Sequence, residues 1–165
     1  MLEMILIIAA VLLDRLTKYL VCANIYNSSA QFIPGFIGFR YCENTGAAFS
    51  IFNSPTGTVV LTVISAVMAV VLIYAGFYLK KKNAPRPIGF FLAMIAGGAI
   101  GNLIDRLFLG YVIDFIETEF MNFAIFNVAD CFVTVGVALL IIYLVFTKKG
   151  REFFKGLDSK KAEGK

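Results

Sequence analysis

Four long apolar runs punctuate the chain, at about residues 2–21, 58–79, 88–109 and 124–146. Each is close to the roughly 20 residues that a helix needs to cross a hydrocarbon layer about 30 Å thick. The first run is the weakest, because Asp14, Arg15 and Lys18 enter it after Leu13. No basic stretch precedes its apolar part and no A-x-A site follows, so it reads as a retained helix and not a cleaved leader. Between the first two runs lies the segment 22–57. Its stretch "QFIPGFIGFRYCENTGAAFSIF" is rich in Phe, Gly and Ile and alternates in part around "FIGFRY". That pattern suits short strands on a membrane surface, and equally a loop anchored by phenylalanines. Neither an internal repeat nor a low-complexity linker divides the chain. The expected fold is an all-α membrane protein: one domain, residues 1–165, with four transmembrane helices and a small β-containing extracytoplasmic segment between helices 1 and 2.

Composition strengthens this picture, since 59% of the residues are hydrophobic. With no His in the chain, Ser-His and Cys-His nucleophilic pairs and His-type metal sites are excluded. Cys22, Cys42 and Cys131 show no C-x-x-C spacing, so neither a metal site nor a cofactor is expected. Cys22 and Cys42 could form one disulfide if both face outward; three small apolar side chains are the plainer reading.

Charge gives direction. Lys80, Lys81, Lys82 and Arg86 lie between the second and third runs, and seven basic residues follow Thr147; together they are eleven of the fifteen. Both segments are therefore expected in the cytoplasm, as are both termini and the basic tail 148–165. The acidic residues Asp14, Glu43, Asp105, Asp114, Glu117, Glu119 and Asp130 fall at or beyond the outer ends. The net charge of +4 is thus a topology signal. No nucleic-acid partner is expected, whereas the tail suits contact with anionic lipid.

Helix rise converts positions into depths. Asp14 comes out roughly 12 Å below the outer edge, and Asn102 and Asp130, the latter counted from Ala124, roughly 9 Å below it. Three polar residues on three spans so share one level, with Arg106 a turn above Asn102. Asp14 and Lys18, at i,i+4, can neutralise one another, either within a site or as a pair at the interface. Asn102, Asp105 and Arg106 share a face. Ala93, Gly97 and Gly101 form a small-residue stripe suited to tight helix packing. Asn127 and Asp130 are three residues apart. Ionisable groups are costly in a membrane, so Asp130 reads as functional. Ser50, Ser54 and Ser65 have no evident base. Carboxylates are what remains for chemistry. Asp114, in "GYVIDFIE", lies sixteen residues before Asp130, and a short return loop would bring it over the outer mouth of the bundle. Two aspartates held close share a proton; one activates water while the other polarises a carbonyl.

Taken in order, "DRLTK", "ENTGAAFS", "GGAIGNLIDRL", "VIDFI" and "FNVAD" resemble the lipoprotein signal peptidases, the bacterial signal peptidase II family. The resemblance runs from about residue 14 to residue 132. It implies an intramembrane aspartic endopeptidase that removes the signal peptide of diacylglyceryl-modified prolipoproteins just before the lipidated cysteine. By similarity, Asp114 and Asp130 would be the catalytic dyad. Asn44 and Gly46 would line the site from the outer segment, while Asn102 and Arg106, and Asn127 and Ala129 next to the dyad, would hold substrate backbone or stabilise the site. Asp14 and Lys18 would support it from the first helix; Asp105 belongs to the motif, and the residues themselves give it only a polar-network role. Expected partners are lipid-modified prolipoproteins and membrane lipid. The expected location is the bacterial plasma membrane, with a monomer whose site faces outward. A proton-coupled carrier using Asp130 and Asp14 is the rival class. Against it, inverted repeats are absent and the second run, "TVVLTVISAVMAVVLIYAGFYL", offers almost no polar group.

Overall fold

The computed structural model describes residues 1–26, 28–46 and 55–163. Part of the outer segment and of the "ENTGAAFS" motif, with Ser50 and Ser54, lies outside the described residues. The elements run α1 (Leu2–Ile25), β1 (Ser29–Ile33), β2 (Ile37–Asn44), α2 (Pro55–Lys81), α3 (Arg86–Phe108), β3 (Val112–Thr118), α4 (Val128–Phe146) and α5 (Lys148–Glu163). Helices α2, α3 and α4 are each long and apolar enough to cross a membrane. Helix α1 has the length but carries Glu3, Asp14, Arg15 and Lys18. The tail, expected only as a basic stretch, is helical.

Helix α3 is the centre of the bundle, with α1, α2 and α4 packed around it. Its small residues set how closely the neighbours approach. A Cβ built on Gly97 would lie 2.7 Å from the Ala10 Cβ of α1, and one on Gly98 would strike the carbonyl oxygen of Ala129. The stripe read from the sequence thus faces α1, and Gly98 beside it faces α4. Gly98→Ala is expected to force α3 and α4 apart and cost about 1–3 kcal/mol. A drop in the thermal unfolding midpoint in detergent would register this. Gly76→Ala is the control, because a Cβ there meets nothing within 4 Å.

The sheet differs from expectation in its origin. It has three antiparallel strands in the order β1-β2-β3, and its third strand comes from between α3 and α4. The two outer segments therefore build one sheet, which sequence periodicity within either segment does not reveal. Its hairpin is locally encoded. Pro34 and Gly35 occupy the centre of the turn, Gly35 has φ +73°, and the Phe36 amide donates to the Ile33 carbonyl at 2.9 Å. Proline followed by a residue of positive φ is the type II turn signature. Strands β2 and β3 pair Cys42 with Asp114 and Asn44 with Val112. This register brings Asn44 to the strand that carries Asp114.

The fourth apolar run also starts later than expected. Helix α4 begins at Val128, and Asn127 is its N-cap in extended conformation. Phe126 bridges to Ile116 of β3 instead of continuing the helix. Asp130 therefore sits in the first helical turn, not two turns down a span that opens at Ala124. All three cysteines are free and partly buried.

Candidate active site

The N-terminus of α4 is fixed by a reciprocal capping box. The Asn127 side chain accepts from the Asp130 amide at 2.9 Å, and the Asp130 carboxylate accepts from the Asn127 amide at 3.2 Å. The spacing N-x-x-D in "NVAD" encodes this local closure. Asp130 is thereby aimed back over the start of its own helix. Its other oxygen accepts from the Asn102 amide at 2.7 Å.

Asp114 arrives from the sheet. Strand β3 is buried from Val112 to Phe115, and Asp114 is 2% exposed. One of its oxygens accepts from the Asn44 amide at 2.8 Å, the other from the Asn127 amide at 2.6 Å. Asn127 is fully buried and holds both carboxyl groups at once, donating to Asp114 through its side-chain nitrogen and to Asp130 through its backbone amide. Asn102 closes the ring by accepting from Asn127 at 3.0 Å. Burial pushes the Asp114 carboxyl up to about 6, and the Asp130 charge pushes the same way; the Asn44 and Asn127 hydrogen bonds oppose them.

Beneath this ring lies a buried charge cluster. Lys18 is 1% exposed, and Asp14 and Asp105 are not exposed at all. The Lys18 ammonium lies 3.0 Å from Asp14 and 2.7 Å from Asp105, and it donates to Asn102 at 3.1 Å. All three of its protons are thereby used. Arg15 completes the cluster, 2.9 Å from Asp14 and 2.6 Å from Asp105. The two carboxylates also reach outward. Asp14 accepts from the Ala129 amide at 3.1 Å, and Asp105 accepts from the Ile113 amide at 3.1 Å. Each so grips the residue immediately before one of the two site aspartates. Asp14 and Lys18 are thus an interior pair and not an interface pair. Sequence reasoning missed Arg15 as a member; its signal was its place beside Asp14 in a span where a cation needs a partner.

Arg106 lies one turn beyond Asn102 on α3. Its guanidinium donates to the Gly46 carbonyl at 3.3 Å, and its Nε is buried without a partner among the described residues. Gly46 in turn donates to the Asn44 side chain at 3.0 Å, so "NTG" folds as a small turn facing Asp114. Every site residue expected from the sequence falls in this one region: Asp14, Lys18, Asn44, Gly46, Asn102, Asp105, Arg106, Asp114, Asn127, Ala129 and Asp130.

A family model described as signal peptidase (SPase) II matches residues 6–146. The chain belongs to the signal peptidase II family. A lipoprotein signal peptidase of Enterococcus faecalis is 43% identical over 138 residues, covering 83% of each chain. One of Lactobacillus johnsonii is 40% identical over 147 residues, covering 88% of this chain and 92% of the relative. A bacterial membrane enzyme solved by the in meso method at 2.3 Å resolution superposes with a TM-score of 0.75 at 32% identity, over 87% of both chains. The chain therefore shares its fold with that membrane enzyme.

Proposed function

We propose that this signal peptidase II, which removes signal peptides from prolipoproteins, cleaves with a water activated between Asp114 and Asp130. The observation that carries the reading is the shared Asn127 bridge, which donates to the buried carboxyl group of Asp114 on β3 and to the partly buried one of Asp130 on α4. Two such groups keep one proton between them and titrate as a unit. The ionised carboxylate takes a proton from water as its oxygen adds to the scissile carbonyl carbon. The protonated one donates to the carbonyl oxygen. On collapse, a carboxyl proton passes to the leaving nitrogen, releasing the amine of the cysteine and a new carboxyl end on the signal peptide. Arg106, whose buried Nε has no partner among the described residues, is suited to hold a substrate carbonyl.

The remaining placement follows from charge and depth. Four spans, α1 included, put both termini and the Lys80–Arg86 turn in the cytoplasm and the sheet outside. The cluster of Asp14, Arg15, Lys18 and Asp105 is what makes α1 tolerable in a membrane, because its charges are paired against α3. The site then opens near the outer interface, where a cysteine anchored by diacylglycerol presents its preceding peptide bond. One domain, acting as a monomer among membrane lipids, suffices for this.

A gel-shift cleavage assay in detergent tests the reading. The diacylglyceryl-modified prolipoprotein should be cut with chelator present, and the unlipidated form should not. Equal cutting of both would remove the lipid from the recognition, and loss of cleavage with chelator would remove the metal-free dyad.

The kcat/KM profile against pH should carry an alkaline limb no lower than about pH 6, where the proton of the pair is lost. The Asn44 hydrogen bond favours the charged form of Asp114. Asn44→Ala should therefore move that limb to higher pH. A limb that stays in place, or moves down, would detach Asp114 from it.

A further inference from the structure

At the end of the bundle opposite the sheet, α1, α2 and α3 leave a groove between them. Its apolar part has a volume of about 300 Å³ and is floored by Leu92, Ala93 and Ala96 of α3, with Ile7 of α1 and Ile73 of α2 as walls. It continues into a second cavity of about 570 Å³, bordered by Lys80, Asn83 and Arg86 where α2 turns into α3. Met1, Glu3, Gly76, Lys80 and Gly89 border both, so the two volumes are one channel, apolar within the bundle and polar at its mouth. Small residues make the room: a Cβ at Gly76 would meet nothing within 4 Å.

The channel is separate from the aspartate site. Asn102 follows Ala93 by nine positions on α3, which at about 100° each puts it on roughly the opposite side of the helix. The channel lies on the α1 side of α2, whereas Asn102 and Arg106 look toward Asp130 of α4 and Gly46. Its mouth carries Lys80 and Arg86 against Glu3 alone among its charged side chains, and Lys81 and Lys82 extend the basic surface. A basic mouth repels the positively charged start of a signal peptide. It fits instead an amphiphile with an anionic head and an apolar tail.

We propose that this channel binds one anionic diacyl phospholipid, an acyl chain in the apolar part and the phosphate between Lys80 and Arg86. By the orientation proposed above, the lipid comes from the inner leaflet. Lys80 already lies 3.1 Å from Glu3 in an exposed ion pair. Such pairs are weak, so the ammonium can turn to a phosphate at little cost. Binding there would wedge α1 and α2 against α3.

Native mass spectrometry of the full-length, delipidated protein tests this with three probes: phosphatidylglycerol, phosphatidylcholine with the same chains, and glycerol phosphate. One phosphatidylglycerol per chain should bind at least about tenfold more tightly than phosphatidylcholine. Gly76→Leu, which fills the channel without a backbone clash, should abolish that adduct while cleavage of the lipidated prolipoprotein is retained. The double variant Lys80→Gln, Arg86→Gln should erase the preference between the two lipids. Equal binding of both lipids by the unaltered chain, or an undiminished adduct in Gly76→Leu, would overturn the site. Full competition by glycerol phosphate would overturn the role of the acyl chain.

Discussion

Asp114→Asn and Asp130→Asn should each lower kcat by at least about a thousandfold in the lipidated-prolipoprotein assay, with the fold retained. An acid–base group contributes about 10² to 10⁴ in rate, and both aspartates move a proton in this mechanism. An amide can neither take the proton of water nor surrender one to the leaving nitrogen. The structural side is smaller: each substitution can keep one of the two donors its carboxylate accepts from, Asn127 at position 114 and Asn102 at position 130, and turns the new amide nitrogen toward the other, Asn44 or the Asn127 backbone amide. Groups that act as a unit are not additive, so the double variant should be no slower than either single one. Turnover within about tenfold of the unaltered enzyme, by either variant, would remove that residue from the chemistry. Multiplying losses in the double variant would show two independent roles.

Much of this site was legible in the sequence because its polar residues stand out against hydrocarbon-compatible surroundings. Asp130, Asn102 and Asp14 were found by depth alone. Depth was also where the reading erred, since Asp130 was counted from Ala124 and the helix starts at Val128. The corrective signal was present: "NVAD" is a capping-box spacing, whereas the strand bridge of Phe126 before it shows only in the structure. The pairing of Cys42 with Asp114 joins segments far apart in the chain, and no local periodicity reports such a contact. Arg15 was passed over for a related reason. Its partner Asp105 lies on another helix, and helical spacing reveals only neighbours on the same one.

That buried cluster gives the second large effect. Lys18→Met keeps the length of the side chain but leaves Asp14 and Asp105 with Arg15 as their one remaining cation within ion-pair distance among the described residues. Removing one partner of a buried ion pair costs about 3–5 kcal/mol, because a charge stays desolvated and uncompensated. The unfolding midpoint in detergent should fall by many degrees. Activity should fall further than the surviving folded fraction explains, since Asn102, which positions Asp130, loses its Lys18 donor. Adding Asp14→Asn balances the charge again and leaves the Arg15–Asp105 pair, at 2.6 Å, intact. The side-chain amide oxygen then present at position 14 can still accept from the Ala129 amide, as the carboxylate of Asp14 does. The double variant should therefore regain part of the lost stability but little of the activity. If it unfolds no later than Lys18→Met alone, the cost lies in lost hydrogen bonds and not in an unpaired charge. If Lys18→Met unfolds with the unaltered protein, the cluster does not hold the bundle together. In that case the grip of Asp14 and Asp105 on the residues before Asp130 and Asp114 would not depend on the lysine between them.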